Sequence, residues 1–163
     1  MTINQHQTPI EDERIWLQRT LTADIPLGGA MGLRVARLDD EGIVLVLPLD
    51  ANVNDKGTAF GGALASAMIL AGWSLPRVLM KRAGLQAELV IGRCEIRFLR
   101  PVAGPFEAHC PWPDSADCER FLRRLDDAGR ASLMLEPEIH ASGEVAARLS
   151  AKYAALGNPE KRR

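Results

Sequence analysis

Asn52-Val-Asn-Asp-Lys-Gly-Thr-Ala-Phe-Gly-Gly-Ala-Leu-Ala-Ser-Ala-Met-Ile-Leu-Ala-Gly-Trp-Ser-Leu75 is the stretch that decides the fold. A polar loop of Asn, Asp, Lys, Gly and Thr runs into an apolar segment with no Asp or Glu. The segment predicts a central helix over about 59–82, buried on nearly all sides. Thr58 is its expected N-cap, with the hydroxyl reaching the amide of Gly61. Pro76 is expected to kink or break the helix, and Gly84 to end it.

Upstream, Thr8-Pro9-Ile10-Glu11 carries a helix-start signature, with Thr8 as cap, Pro9 in the first turn and Glu11 three residues after the cap. An N-terminal helix over about 9–23 follows, with Ile10, Leu17 and Leu21 on one face and Ile25-Pro26 at its end. MGLRVARL and GIVLVLPL, separated by Asp39-Asp40-Glu41-Gly42, predict a hairpin. Both alternating sets of the second run are apolar, so that strand is expected to be covered on both faces, by a helix on one and by another subunit on the other.

Downstream, ELVIGRCEIRFLRP alternates Cys94, Ile96 and Phe98 against Arg93, Glu95 and Arg97, with Gly92 a candidate bulge. PFEAHCPW predicts a shorter strand. DSADCERFLRRLDDAG predicts an amphipathic helix with a stripe of Phe121, Leu122 and Leu125. The last part, from Ala131, predicts a hairpin turning near Ser142-Gly143. Six strands with few intervening helices exclude a parallel βαβ series. The fold class is α+β: an antiparallel sheet curled around the central helix, in a single domain over 1–163 with a tail at 157–163.

Composition narrows the function. With 20 basic and 21 acidic residues spread along the chain, nothing points to nucleic acid. The polar, acidic first residues do not form a signal peptide, and the apolar run Ala59–Leu75 is shorter than a membrane span. Cys94, Cys110 and Cys118 are odd in number and lack CxxC spacing, which speaks against disulfides and structural zinc. A cytoplasmic location is expected. His6, His109 and His140 have no metal-ligand spacing and receive no role.

The chemistry lies where loop meets helix. First-turn amides lack intrahelical partners and carry partial positive charge. Gly61 and Gly62 leave them bare, so that a polarised carbonyl oxygen can approach the backbone as at an oxyanion hole. Ala63, Ala65, Ser66 and Ala67 keep the next turns slim enough for an apolar chain alongside. These features suit an acyl thioester; they also suit tight helix-on-sheet packing alone.

Ile25-Pro26, Met31-Gly32, Pro48-Leu49, the loop from Asn52 to Gly62, Leu70-Ala71-Gly72-Trp73, Arg100-Pro101 and Gly129-Arg130-Ala131 together resemble the hot-dog-fold thioesterase-like family. The narrower likeness is to the bacterial branch found alone or as the C-terminal half of some acetyltransferase proteins. It covers about Ile15 to Tyr153.

The resemblance implies a curved antiparallel sheet wrapped around a long central helix, homodimers or dimers of dimers joined edge to edge, and active sites at the dimer interface. The substrate would be an acyl thioester of coenzyme A or acyl carrier protein, with no separate cofactor and no metal. Many relatives begin the helix with His-Gly-Gly and carry a helix carboxylate; here Phe60 stands in the His place and Ile69 in the acid's, which disfavours a dehydratase. The expected mechanism therefore rests on the loop. Gly62, with Gly61, polarises the carbonyl, Asn54 positions water, and Asp55 is the general base. An Asx-turn role for Asp55 is the alternative.

Lys56, Thr58, Phe60, Gly61, Ser66 and Trp73 are the expected substrate-binding residues. Arg97, Arg100, Arg123, Arg124 and Arg130 are candidates for coenzyme A phosphates. The other reading is a non-catalytic acyl-thioester-binding module associated with an acyltransferase.

Overall fold

The computed structural model describes residues 9–157. In chain order the elements are α1 (Pro9–Arg19), a π turn (Thr20–Asp24), α2 (Pro26–Ala30), β1 (Arg34–Leu38), β2 (Gly42–Leu47), a 3-10 turn (Asp50–Asn52), α3 (Gly61–Arg82), β3 (Glu88–Phe98), β4 (Phe106–Pro111), α4 (Ser115–Ala128), β5 (Arg130–Leu135), β6 (Glu138–Ala141) and β7 (Glu144–Leu156). The expected cap Thr8 and most of the tail lie outside the described residues, as does the side chain of Ile10. Leu17 and Leu21 are buried as their spacing requires.

The seven strands form an antiparallel sheet in the order β1-β2-β4-β6-β7-β3, and β5 pairs with β7. This is the hot-dog architecture: the sheet curls around α3, which touches β2, β3, β4, β6 and β7. Alternation fixes which side chains face the helix. Ile43, Leu45 and Leu47 of β2 lie opposite Cys110, Ala108 and Phe106 of β4, and all six are buried. On the other face Val44 sits beside Arg37 and His109. Gly92 marks a register shift in β3, as its place in the alternation suggested.

Several expectations need correction. Helix α3 runs unbroken through Pro76. A helix-interior proline costs about 3 kcal/mol, but Leu75, Val78 and Met80 are fully buried around it. Each contributes roughly 1.5–3 kcal/mol, so packing outweighs the lost backbone bond. The cap of α3 is Phe60, in extended conformation and without a side-chain cap bond, and not Thr58. The first arm of the last hairpin breaks at Glu136-Pro137 into β5 and β6, giving seven strands and not six; a proline has no N–H for the ladder. At 22 residues α3 is also long and apolar enough to cross a membrane, contrary to the shorter run expected. The sheet makes it a core helix.

Nor is α3 buried on every side. Intermediate exposure recurs at Gly62, Ala65, Ser66, Ile69, Trp73 and Arg77, a stripe at helical spacing that the sheet leaves open.

Candidate active site

The loop before α3 is stitched at both ends. Val53 and Ala59 form an isolated antiparallel bridge, and the Phe60 amide donates to the Asn52 carbonyl at 2.7 Å. Asn54 ties the middle: its Oδ1 accepts from the amides of Lys56 (2.8 Å) and Thr58 (3.1 Å), and its Nδ2 donates to Thr58 Oγ1 (2.8 Å). The Asx turn considered for Asp55 therefore belongs to Asn54. Gly57, at φ +81°, makes the return.

Asp55 is left at the tip, its side chain 81% exposed and paired with Lys56 Nζ at 2.9 Å. The structure thus joins Asn54 to Thr58 and Asp55 to Lys56. Thr58 serves the loop and leaves the helix cap to Phe60.

Below the loop, the Phe60 carbonyl accepts from the amides of Ala63 and Leu64, whereas those of Gly61 and Gly62 have no acceptor among the described residues. The Phe60 ring folds back over Gly62, where a Cβ would collide with it, and the Phe98 ring lies 3.6 Å from where a Cβ on Gly61 would sit. Both phenylalanines are more than half exposed. Between the start of α3 and the end of β3 opens a groove of ≈ 360 Å³, lined by Ala59, Gly61, Leu64 and the run Phe98 to Val102. The Ala59 amide donates to the Val102 carbonyl at 2.7 Å, which ties one groove wall to the loop.

Other expected binding residues are tied to the scaffold. Ser66 Oγ donates to the Gly62 carbonyl at 2.8 Å, and no base among the described residues joins it in a hydrogen bond. Trp73 Nε1 donates to the Leu89 carbonyl at 3.1 Å, pinning α3 to β3, while its ring fronts the open stripe. Ala63 and Ala67 are buried; only Ala65 and Ser66 of the four small residues face the stripe.

Sequence reasoning assigned no role to Phe98, Leu99 or Val102, because only the sheet's curvature brings them to the helix. It also passed over Asn52. That residue is 4% exposed, its Nδ2 bonded to the Met31 and Pro48 carbonyls and its Oδ1 without a partner among the described residues.

Away from the groove, burial pushes the Cys110 thiol up to about 12 and raises the Tyr153 phenol, so neither supplies an anion near neutral pH. Cys118 is raised by burial and by Asp117. His109 and His140 stack on the opposite face of the sheet at 4.1 Å between ring centroids, each bonded to its own glutamate, Glu107 and Glu138. No group of three His, Cys, Asp or Glu suited to a metal exists among the described residues.

Residues 15–157 match the family model described as "Putative thioesterase (yiiD_Cterm)". A crystal structure of a protein of unknown function from Chlorobaculum tepidum TLS is 26% identical, with 93% of this chain and 98% of that one covered at TM-score 0.87. A thioesterase, so described provisionally, from Shewanella oneidensis is 23% identical over 90% and 99% of the two chains at TM-score 0.78. A point mutant of the phenylacetic acid degradation protein PaaI from Thermus thermophilus is 21% identical over 80% and 99%, at TM-score 0.56. The last two likenesses concern the fold. No curated protein matches the chain.

Proposed function

We propose that this chain, which belongs to the thioesterase family whose model it matches, hydrolyses acyl thioesters of coenzyme A or acyl carrier protein in the groove at the start of α3. The observation that carries this reading is the pair of bare amides, Gly61 and Gly62, opening beside an apolar groove. In that pose the thioester carbonyl oxygen takes those two N–H groups, which strengthen their hold as negative charge develops. The acyl chain lies along Leu64 and Phe98, or down the open stripe past Ser66 toward Trp73. Phe60 shields the carbonyl from one side.

Asp55 is the general base: it removes a proton from the attacking water and returns it to the thiolate that leaves as the tetrahedral adduct breaks its C–S bond. Asn54 acts as a positioning residue: with Oδ1 engaged twice, it holds the loop that carries Asp55. Lys56, paired with Asp55 at 2.9 Å, holds that carboxylate at the tip of the loop.

The second copy of the chain completes this picture. Among the described residues β3 pairs only with β7, and its other edge is unpaired, an arrangement that invites another strand. Val90, Phe98 and Leu99 are about half exposed there. A homodimer joined along β3 buries them and covers the outer side of the groove. The setting is the cytoplasm.

One observation favours a second reading: α3 carries no carboxylate, and the only acid of the loop is open to solvent. On that reading the chain binds acyl thioesters without turnover and works beside an acyltransferase. Free-thiol release from a panel of short, medium, long and aromatic acyl-coenzyme A thioesters separates the two. Turnover that drops at least a hundredfold in Asp55→Asn supports hydrolysis with Asp55 as base. Full activity of that variant removes the base assignment, and binding without any turnover supports the second reading.

A further inference from the structure

The groove beside Gly61 is apolar along most of its wall, and Arg100 is the one charged side chain among the described residues that lines it. The sequence offered five arginines as anion ligands, and the fold separates them. Arg97 lies on the opposite face of β3, in a hollow with Arg148, Glu95 and Glu138. Arg130 opens β5, across β7 from β3, and Arg123 and Arg124 are exposed on α4.

Arg100 is held differently. The amides of Leu99 and Arg100 both donate to the Ala146 carbonyl, at 2.8 and 3.1 Å, which fixes the backbone from which the side chain springs. Its guanidinium pairs with Glu144 at 3.0 Å, and both side chains are more than half exposed. Such a pair is weak, so an incoming anion displaces the glutamate at little cost.

We propose that Arg100 is a specificity residue that anchors a carboxylate on the acyl group, and that the preferred substrates are thioesters of short dicarboxylic acids. The inference rests on the thioesterase reading of the groove. Size decides between the two ends of the substrate. The groove of ≈ 360 Å³ has Gly61 on one wall and Arg100 on the facing one, within a single short lining. The arm of a pantetheine carrier comprises three amide-linked units of about 3.5 Å or more each, which carries its phosphate well away from a carbonyl seated on Gly61. A carboxylate at the end of a short acyl group falls inside the groove. With a methyl-terminated acyl group Arg100 stays with Glu144 and contributes nothing.

The test uses pantetheine thioesters, which carry no phosphate. Succinyl and adipyl thioesters are compared with butyryl and hexanoyl ones for the wild type, Arg100→Gln and Arg100→Lys, with thermal melts to check folding. The wild type is expected to favour the carboxylate-terminated members by about tenfold in kcat/KM, the value of one charge-assisted hydrogen bond. Arg100→Gln should bring the two series together, and Arg100→Lys should keep part of the preference.

No preference in the wild type, or a preference that survives in Arg100→Gln, overturns the proposal. So does a rise in KM of Arg100→Gln that appears only when the same acyl groups are carried on coenzyme A, which assigns Arg100 to the carrier's phosphates. If no thioester is hydrolysed, the hydrolase reading fails separately. The anchor is then judged by calorimetric binding of the non-hydrolysable thioether of adipyl-pantetheine, and equal affinity for wild type and Arg100→Gln overturns it.

Discussion

Gly62→Ala separates catalysis from packing at the start of α3. A Cβ on this residue would collide with the Phe60 ring, the far end of a side chain that is 57% exposed. The ring can therefore swing into solvent without opening the core. Alanine in place of glycine favours the helix by up to about 1 kcal/mol. For a chain of this size that shifts the melting temperature by roughly 2–4 °C at most.

Activity should move the other way. The amide survives the substitution, but a methyl group now stands beside the approach to it. Removal of one oxyanion donor costs on the order of 2.7–4 kcal/mol, or a hundred- to a thousandfold in kcat. Blocked access should cost at least tenfold and reach toward that range. Gly104→Ala is the control, since its Cβ would meet nothing within 4 Å and the residue takes no part in lining the groove. The assay is thiol release with a matched thermal melt. A folded Gly62→Ala protein with wild-type kcat and KM would refute the idea that the carbonyl is held over Gly62.

Two further outcomes follow from buried groups. Gly72→Ala should do the reverse of Gly62→Ala: the Tyr153 ring lies 2.9 Å from the would-be Cβ, is fully buried, and is pinned by its hydroxyl to the Ile69 carbonyl at 2.7 Å. Overpacking of about 1–3 kcal/mol should lower the melting temperature by several degrees; an unchanged melt would show that Tyr153 can retreat. Stability should also fall in alkali. Burial raises the Cys110 thiol from its ordinary 9.0 to about 12 and raises the Tyr153 phenol, so the folded chain keeps protons that the unfolded chain gives up. The stabilisation is complete below about pH 9 and declines by about 1.4 kcal/mol per pH unit per proton as pH climbs toward 12. Melts from pH 8 to 11 should show the decline and a shallower slope in Cys110→Ala; an equal slope would clear the thiol of any part in it.

Local rules carried the reading where neighbours in sequence are neighbours in space. The β1–β2 turn at Asp39–Gly42, the α4 stripe of Phe121 and Leu125, the Gly92 bulge and the turn at Ser142-Gly143 all follow from spacing and turn chemistry. The lack of acids in the central segment was enough to identify a core helix. The same rules failed where tertiary contacts outweigh local preference: at Pro76, where buried Leu75 and Val78 hold the helix together, and at Thr58, whose hydroxyl Asn54 engages first.

The candidate site divides along the same line. From the sequence alone came a polar loop, two glycines with bare amides and slim turns behind them, because those properties belong to the residues at 52–67 themselves. Only the tertiary structure could show that Phe98, Leu99 and Arg100 form the opposite wall, or that one stripe of α3 stays open. Those facts depend on how far β3 follows β7 around the helix, and pairing between strands far apart in the chain is set by the curvature of the whole sheet.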